Sequence, residues 1–390
     1  MMHTISLKKE LSFLAVLLLC ACPLLFGVST AQAEPTAADA VIAPDIHTQP
    51  EYFYYQQLNE TGRVFYEALE YLTAQNDWLD GTISSIQLTA NSEYGTTPLK
   101  NSVNPKILAE YIQGQSSTLM NAFTEAVNAF FLEYPELFYI DFSKLCCRVG
   151  YRAKSNSYIA FLELSKDAAN CYRFAAISSP ESIQQASAAL QTRIREIVST
   201  IPADAAPAEK IKAAHDALIA SAAYQEEMTA YAESRPYLHT AYGALVMRET
   251  VCDGFAYAFQ LLMKQLGIPC ISICGLAGTE GPSPLDNTAV AAASSWESHR
   301  WNAVALPVHD QLVWFAVDCT WDKSRIYTYL HNPKTPDHPT LLYVNESVSD
   351  TYLLQGSAFM DKTHVLCHPV TREILPTPPL SPVSYAEAVK

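Results

Sequence analysis

Positive charge is scarce in this chain: 25 Lys and Arg stand against 40 Asp and Glu, a formal net charge of −15. No basic cluster offsets that balance, so the chain would repel nucleic acid, and binding to it is excluded as a function class. Glycine is also sparse, at 13 residues, while an apolar content of 49% is that of an ordinary globular protein, which excludes a disordered chain. Past the first thirty or so residues no apolar stretch is long enough to span a bilayer. Paired Cys-x-x-Cys knuckles are missing, so no zinc centre is expected. His364, Cys367 and His368 are a local cluster that does not make one. No cofactor is expected.

What is present begins with an address. Lys8 and Lys9 precede the apolar run 11–28, and Ala31-Gln32-Ala33 supplies a small-x-small cleavage site before Glu34. Residues 1–33 therefore read as a signal peptide, and an extracytoplasmic location is expected, secreted or associated with the cell envelope. Cys22 resembles a lipid-attachment cysteine, but the clean cleavage site favours plain secretion. Residues 34–50, rich in Ala and Pro, read as a linker. Residues 51–200 read as a mixed α+β region, 201–368 as a second domain, and 369–390 as a proline-rich, flexible tail. Apolar spacing in the first region predicts helices over 51–75 and 105–134, a strand over 137–142, and two strands around a polar turn at 155–157. Further helices are expected over 182–199 and from 209 toward 231. His215, with no evident partner, reads as a packed or surface histidine.

The second domain is organised around residues 251–267. Thr250 and Asp253 form a Thr-x-x-acid pair ahead of apolar Phe255, Phe259, Leu262, Met263 and Leu266, which predicts a helix with Cys252 in its first turn. Gly267 and Pro269 stop it. A thiol there meets unpaired backbone N–H groups and the positive end of the helix dipole, both of which favour thiolate. An isolated cysteine is more often a core residue, so the rest of the chain must decide. Three strands are expected, over 270–276, 299–306 and 312–321, with a surface loop at 278–296. Pairing Leu306 with Gln311 across the short loop 307–310 counts back to His299 opposite Asp318, with β-carbons about 4.5–5.5 Å apart. The same count puts Trp301 opposite Ala316 and Ala303 opposite Trp314. A carboxylate beside a histidine fixes its tautomer and stabilises the imidazolium, and that pair activates a thiol.

The segments VCDGFAYAFQLLMKQLGIP, SHRWNAVAL and WFAVDCTWD, with AYGALV before them and the piece around His364 after, resemble the transglutaminase-like superfamily, especially its bacterial extracytoplasmic members. The resemblance implies an α+β, papain-like or transglutaminase-like core for 201–368, with the cysteine on a helix N-terminus packed on an antiparallel sheet. It places the nucleophile at Cys252, the general base and acid at His299 and the orienting carboxylate at Asp318. Cys252 would attack a peptide or glutamine amide to form a thioester, resolved by water in a peptidase or amidase, or by an amine in crosslinking. The oxyanion would be met by the Cys252 N–H, with Tyr242 and Tyr224 as further cleft candidates; His239 lies nearby in the chain. The expected partner is a protein or peptide substrate, such as cell-wall peptide. The alternative is a catalytically silent module that binds wall peptide or protein. Two positions depart from the family pattern: Arg300, where a small residue is common, and Cys319, where proline is common.

Overall fold

The computed structural model describes residues 46–81, 86–88, 103–152, 154, 156–225, 235–278, 296–332, 335–366 and 376–390. The leader, most of the linker, the loop 279–295 and the segment holding Cys367 and His368 lie outside these. The last linker residues are folded: Ile46–Thr48 forms a turn, and His47 stacks on Tyr55 and bonds Glu70 at 2.9 Å.

The helix expected over 51–75 is two helices, α1 (Phe53–Gln57) and α2 (Glu60–Ala74). The break is at Asn59, whose side chain accepts the N–H of Gly62 and caps α2. β1 (Ile86–Leu88) follows. The run 105–134 also divides, into α3 (Pro105–Ile112) and α4 (Thr118–Glu133), with Gly114 at φ +67 between them, a left-handed conformation that suits glycine. Residues 137–142 are not a strand. Pro135 starts a 3₁₀ turn, Asp141 caps a second one, and Ile140 makes only a single bridge to Tyr172. The strands of this region are β2 (Leu145–Arg152) and β3 (Ser157–Leu164), which pair antiparallel, with β1 on the other side of β3.

Next come α5 (Pro180–Ser199), α6 (Pro207–Ser221) and the two-residue strands β4 (Ala223–Tyr224) and β5 (Glu249–Thr250), which pair in parallel. α7 (Cys252–Leu266) is central. Every residue from Gly254 to Met263 is buried, as a helix covered on all sides requires. It packs on α5 and α6 and on the sheet formed by β6 (Cys270–Ala277), β7 (Glu297–Val308), β8 (Gln311–Val317) and, on the far edge, β11 (His364–Leu366). The strand order is β11-β6-β7-β8, antiparallel throughout. Phe255, Phe259, Leu262 and Met263 are fully buried, each worth about 1.5–3 kcal/mol. Polar stitches hold helix to sheet: Asn302 donates to the Ala256 carbonyl at 3.0 Å, and Ser272 donates to Gln260 at 2.6 Å. α7 ends at Gly267, φ +70, with the Ile268 N–H returning to the Met263 carbonyl.

After β8 a short turn, α8 (Cys319–Asp322), leads into a two-stranded arm, β9 (Lys323–Asn332) and β10 (Thr335–Val348), and then α9 (Ser357–Met360). The described part of the C-terminal tail is not a loose extension. Ser381 donates its N–H to Trp314 at 2.8 Å, and α10 (Tyr385–Ala388) sets the Tyr385 ring against Phe315. Its prolines suit a strap of irregular backbone laid against β8, because few N–H groups need partners there.

Candidate active site

Cys252 is the first residue of α7 and is partly exposed. The Thr-x-x-acid cap expected before it does not form. The N-cap residue is Val251, in extended conformation and without a side-chain cap. Thr250 Oγ1 donates instead to the Leu238 carbonyl at 3.1 Å, and Val251 N–H goes to the same oxygen. Among the described residues no side chain caps the first turn. Gly254 makes this start possible. A β-carbon there would stand 2.7 Å from the carbonyl oxygens of Leu238 and Thr240, and closer still to Thr250 Oγ1.

His299 lies on β7 opposite Gly275 of β6. A β-carbon on Gly275 would run into the Trp301 ring, which stacks beside His299 at 6.0 Å between centroids. The hairpin register differs from the expected one. Val308 pairs with Gln311 and Ala303 with Ala316, so the loop is only His309-Asp310, both at positive φ as a tight hairpin turn demands. β8 stops at Val317, and Asp318 caps α8, its Oδ1 accepting the N–H groups of Thr320 at 2.8 Å and Trp321 at 3.1 Å. His299 and Asp318 are thus not cross-strand partners, yet they share a face, and His299 Nε2 meets Asp318 Oδ2 at 2.7 Å.

Both side chains are nearly closed off, at 7% and 1% exposure. Burial alone would lower the His299 pKa. The Asp318 carboxylate and its hydrogen bond, followed by a hydrogen bond with the Cys252 thiol, override it and raise the value to about 10. With Nε2 on Asp318, Nδ1 is the nitrogen left for the thiol. Burial opposes ionisation of Asp318 too, but His299 and then His364 hold its carboxyl well below the usual range.

His364, from β11, is the partner that sequence reasoning missed. Its Nε2 reaches the same Asp318 Oδ2 at 3.0 Å, and Thr363 Oγ1 lies 2.9 Å from its Nδ1. No local periodicity links positions so far apart in the chain. His299, Asp318 and His364 offer ligand atoms within 4.8 Å of one another. Both imidazoles, however, converge on one carboxylate oxygen at hydrogen-bond distance, an arrangement that a shared proton network explains without an ion.

Asp253, next to Cys252, receives Arg300 Nε at 2.7 Å and His239 Nδ1 at 2.9 Å. Arg300, the departure from the family pattern, also lies over the Tyr257 ring at 4.9 Å. Of the other candidates, Tyr224 runs parallel to Thr250, two residues before Cys252, whereas the Tyr242 ring stacks on Phe138 at 4.9 Å. His215 is fully buried and has partners, Asp216 at 2.9 Å within α6 and Asp322 at 3.1 Å, the latter tying α6 to α8. Cys319 is a buried thiol, as is Cys270, and burial pushes both well above the usual thiol range. Cys147 is raised to about 12 and Cys171 to about 11 for the same reason.

Comparison with curated proteins finds none that is similar. Local similarity to solved structures is found, two of which are described. One is a TGase at 13% identity, covering 46% of this chain and 45% of that one, with a TM-score of 0.26. The other is a "putative cysteine protease" from Cytophaga hutchinsonii at 14% identity, covering 45% of this chain and 62% of that one, with a TM-score of 0.22. The chain thus spans less than two thirds of either. Residues 191–319, which hold Cys252, His299 and Asp318, match the family model described as Transglutaminase-like superfamily, and a transglutaminase-like domain is what this stretch of the chain resembles.

Proposed function

We propose that the protein is a thiol acyl-transfer enzyme in which Cys252 is the nucleophile, His299 the general base and acid, and Asp318 the residue that orients His299. The carrying observation is the buried His299–Asp318 contact at 2.7 Å, with Cys252 near enough to the same imidazole to help raise its pKa. Cys252 Sγ attacks an amide carbonyl carbon, and the thiol proton passes to His299 Nδ1. The tetrahedral oxyanion collapses to a thioester as His299 returns the proton to the leaving amine. The Cys252 N–H, at a helix start without a side-chain cap, supports the oxyanion. Water then resolves the thioester in a peptidase or amidase, and an amine resolves it in a crosslinking enzyme. The leader-like residues 1–33 favour action outside the cytoplasm on protein or peptide, with cell-wall peptide the first substrate to try.

The test has two arms on separate samples of the mature chain: labelling with a thiol-reactive probe in reducing buffer, and incubation of the unlabelled protein with cell-wall peptides and amine donors followed by mass spectrometry of the products. Labelling is expected to vanish in Cys252→Ala and to persist in Cys274→Ala. Absence of site-selective labelling would overturn the nucleophile and favour a silent binding module.

A further inference from the structure

Asp318 has a carboxylate with every acceptor position taken. Oδ1 receives the N–H groups of Thr320 and Trp321, and Oδ2 receives Nε2 of both His299 and His364. His364 is held for this role from all sides. It sits on a strand, paired with Ala277, at 1% exposure. Its ring is packed against those of Trp321 at 4.8 Å, Trp301 at 4.9 Å and Tyr352 at 5.6 Å. The Asp318 carboxylate only accepts, which puts the ring hydrogen on Nε2; Nδ1 is then an acceptor for the Thr363 hydroxyl at 2.9 Å, closer than that hydroxyl's other acceptor, the Met360 carbonyl, at 3.4 Å.

We infer that His364 is a positioning residue for the Cys252 chemistry: as a neutral Nε2–H donor oriented by Thr363, it locks the Asp318 carboxylate in the rotamer that holds His299. This rests on the catalytic reading above. A carboxylate held at Oδ2 by His299 alone could turn about its last torsion or take up a proton; the fourth hydrogen bond blocks both. Proton occupancy of the two histidines is set apart by their surroundings. Burial, with the charge of His299 adding to it, holds His364 below its ordinary pKa despite Asp318, whereas His299 is raised. The titratable groups facing His364 are Asp318, His299 and Tyr352.

The experiment measures the rate of Cys252 alkylation by iodoacetamide against pH, read at that residue by mass spectrometry, in the natural chain, His364→Phe, His364→Gln and Thr363→Val. Phe fills the ring volume without a donor, and the Gln side-chain amide reaches the position of Nε2. His364→Phe is expected to slow alkylation at pH 6 by about tenfold and to move the acid limb of the profile upward. His364→Gln should restore both to within about twofold, and Thr363→Val should shift the limb less, in the same direction. Should His364→Phe not fold, Thr363→Val decides. An acid limb that stays put or moves down in the folded variants, even if melting temperatures fall, overturns the inference and leaves His364 a packing residue. His299→Ala in the same assay separates the two readings. If Cys252 alkylation ignores His299, the catalytic reading fails; if it depends on His299 but not on His364 or Thr363, only the present inference fails.

Discussion

Asp318→Asn isolates the charge on which the proposed site depends. The amide keeps an oxygen that can still accept the N–H groups of Thr320 and Trp321, so the turn after β8 retains its cap. What disappears is the negative oxygen 2.7 Å from His299 Nε2. The His299 pKa of about 10, against about 6.5 for an ordinary histidine, represents on the order of 5 kcal/mol in favour of the imidazolium. Asp318 supplies more of that than Cys252 does. Without it, burial dominates and the imidazole is neutral at pH 6. Cys252 then has no positive partner to favour the thiolate, the form that the alkylating agent attacks. Alkylation of Cys252 at that pH should fall by roughly 100-fold, and the difference should close to a few-fold by pH 9. Stability gives a second readout. In the natural chain the His299 contribution is complete below about pH 6.5 and is lost as pH rises toward about 10. The Asp318 contribution is present above about pH 3.9 and is lost only as pH falls through its lowered value. The variant should instead lose stability as pH drops through about 6.5, where the unfolded histidine takes a proton that the buried one refuses. Urea midpoints at pH 5.5 and 8 measure that reversal. A folded variant that alkylates at pH 6 as fast as the natural chain refutes the reasoning.

Two further outcomes follow from packing and burial. Gly254→Ala would drive a β-carbon into the carbonyls of Leu238 and Thr240, backbone atoms that cannot swing aside, and should cost about 1–3 kcal/mol in chemical denaturation; an unchanged midpoint would mean that the chain before α7 yields easily. Glu133 accepts the N–H groups of Tyr54 and Tyr55 and the Tyr66 hydroxyl, yet burial still raises its pKa to about 7. Its stabilising neutral form is complete below about pH 4.3 and is lost as pH rises through about 7, so Glu133→Gln should flatten the decline in stability between pH 5 and 8. Parallel slopes for the two chains across that range would contradict the assignment.

The start and stop of α7 were legible because Gly267 and the apolar period are local signals. The means of starting it was not: Thr250 has the chemistry of a cap, but its hydroxyl is taken by the Leu238 carbonyl, a contact made only once the fold closes. Periodicity also ran α1 into α2 and α3 into α4, since a break of a few residues leaves the apolar spacing nearly intact while Asn59 or Gly114 turns the chain. Residues 137–142 carry enough aromatic and aliphatic bulk for a strand, but the same bulk is buried by successive 3₁₀ turns once Pro135 sets the first of them. The links from Asp318 to His364 and from Asp253 to Arg300 span dozens of residues and belong to no period, so only the assembled sheet brings them together.

The hairpin shows how His299 and Asp318 come together through a register other than the expected one. A four-residue loop was expected and a two-residue one forms, which moves every cross-strand partner along by two residues. Side chains on a strand alternate with a period of two, so an even slip returns each one to its original face, whereas a slip of one would have buried His299 and Asp318 on opposite sides. Asp318 then gains what a strand position could not give it. Just beyond the end of β8, its carboxylate takes two backbone N–H groups on one oxygen and two imidazoles on the other. The family-like wording around Asp318 therefore encodes a strand end followed at once by a helical turn, and it is this ending that makes the aspartate a fixed acceptor for His299.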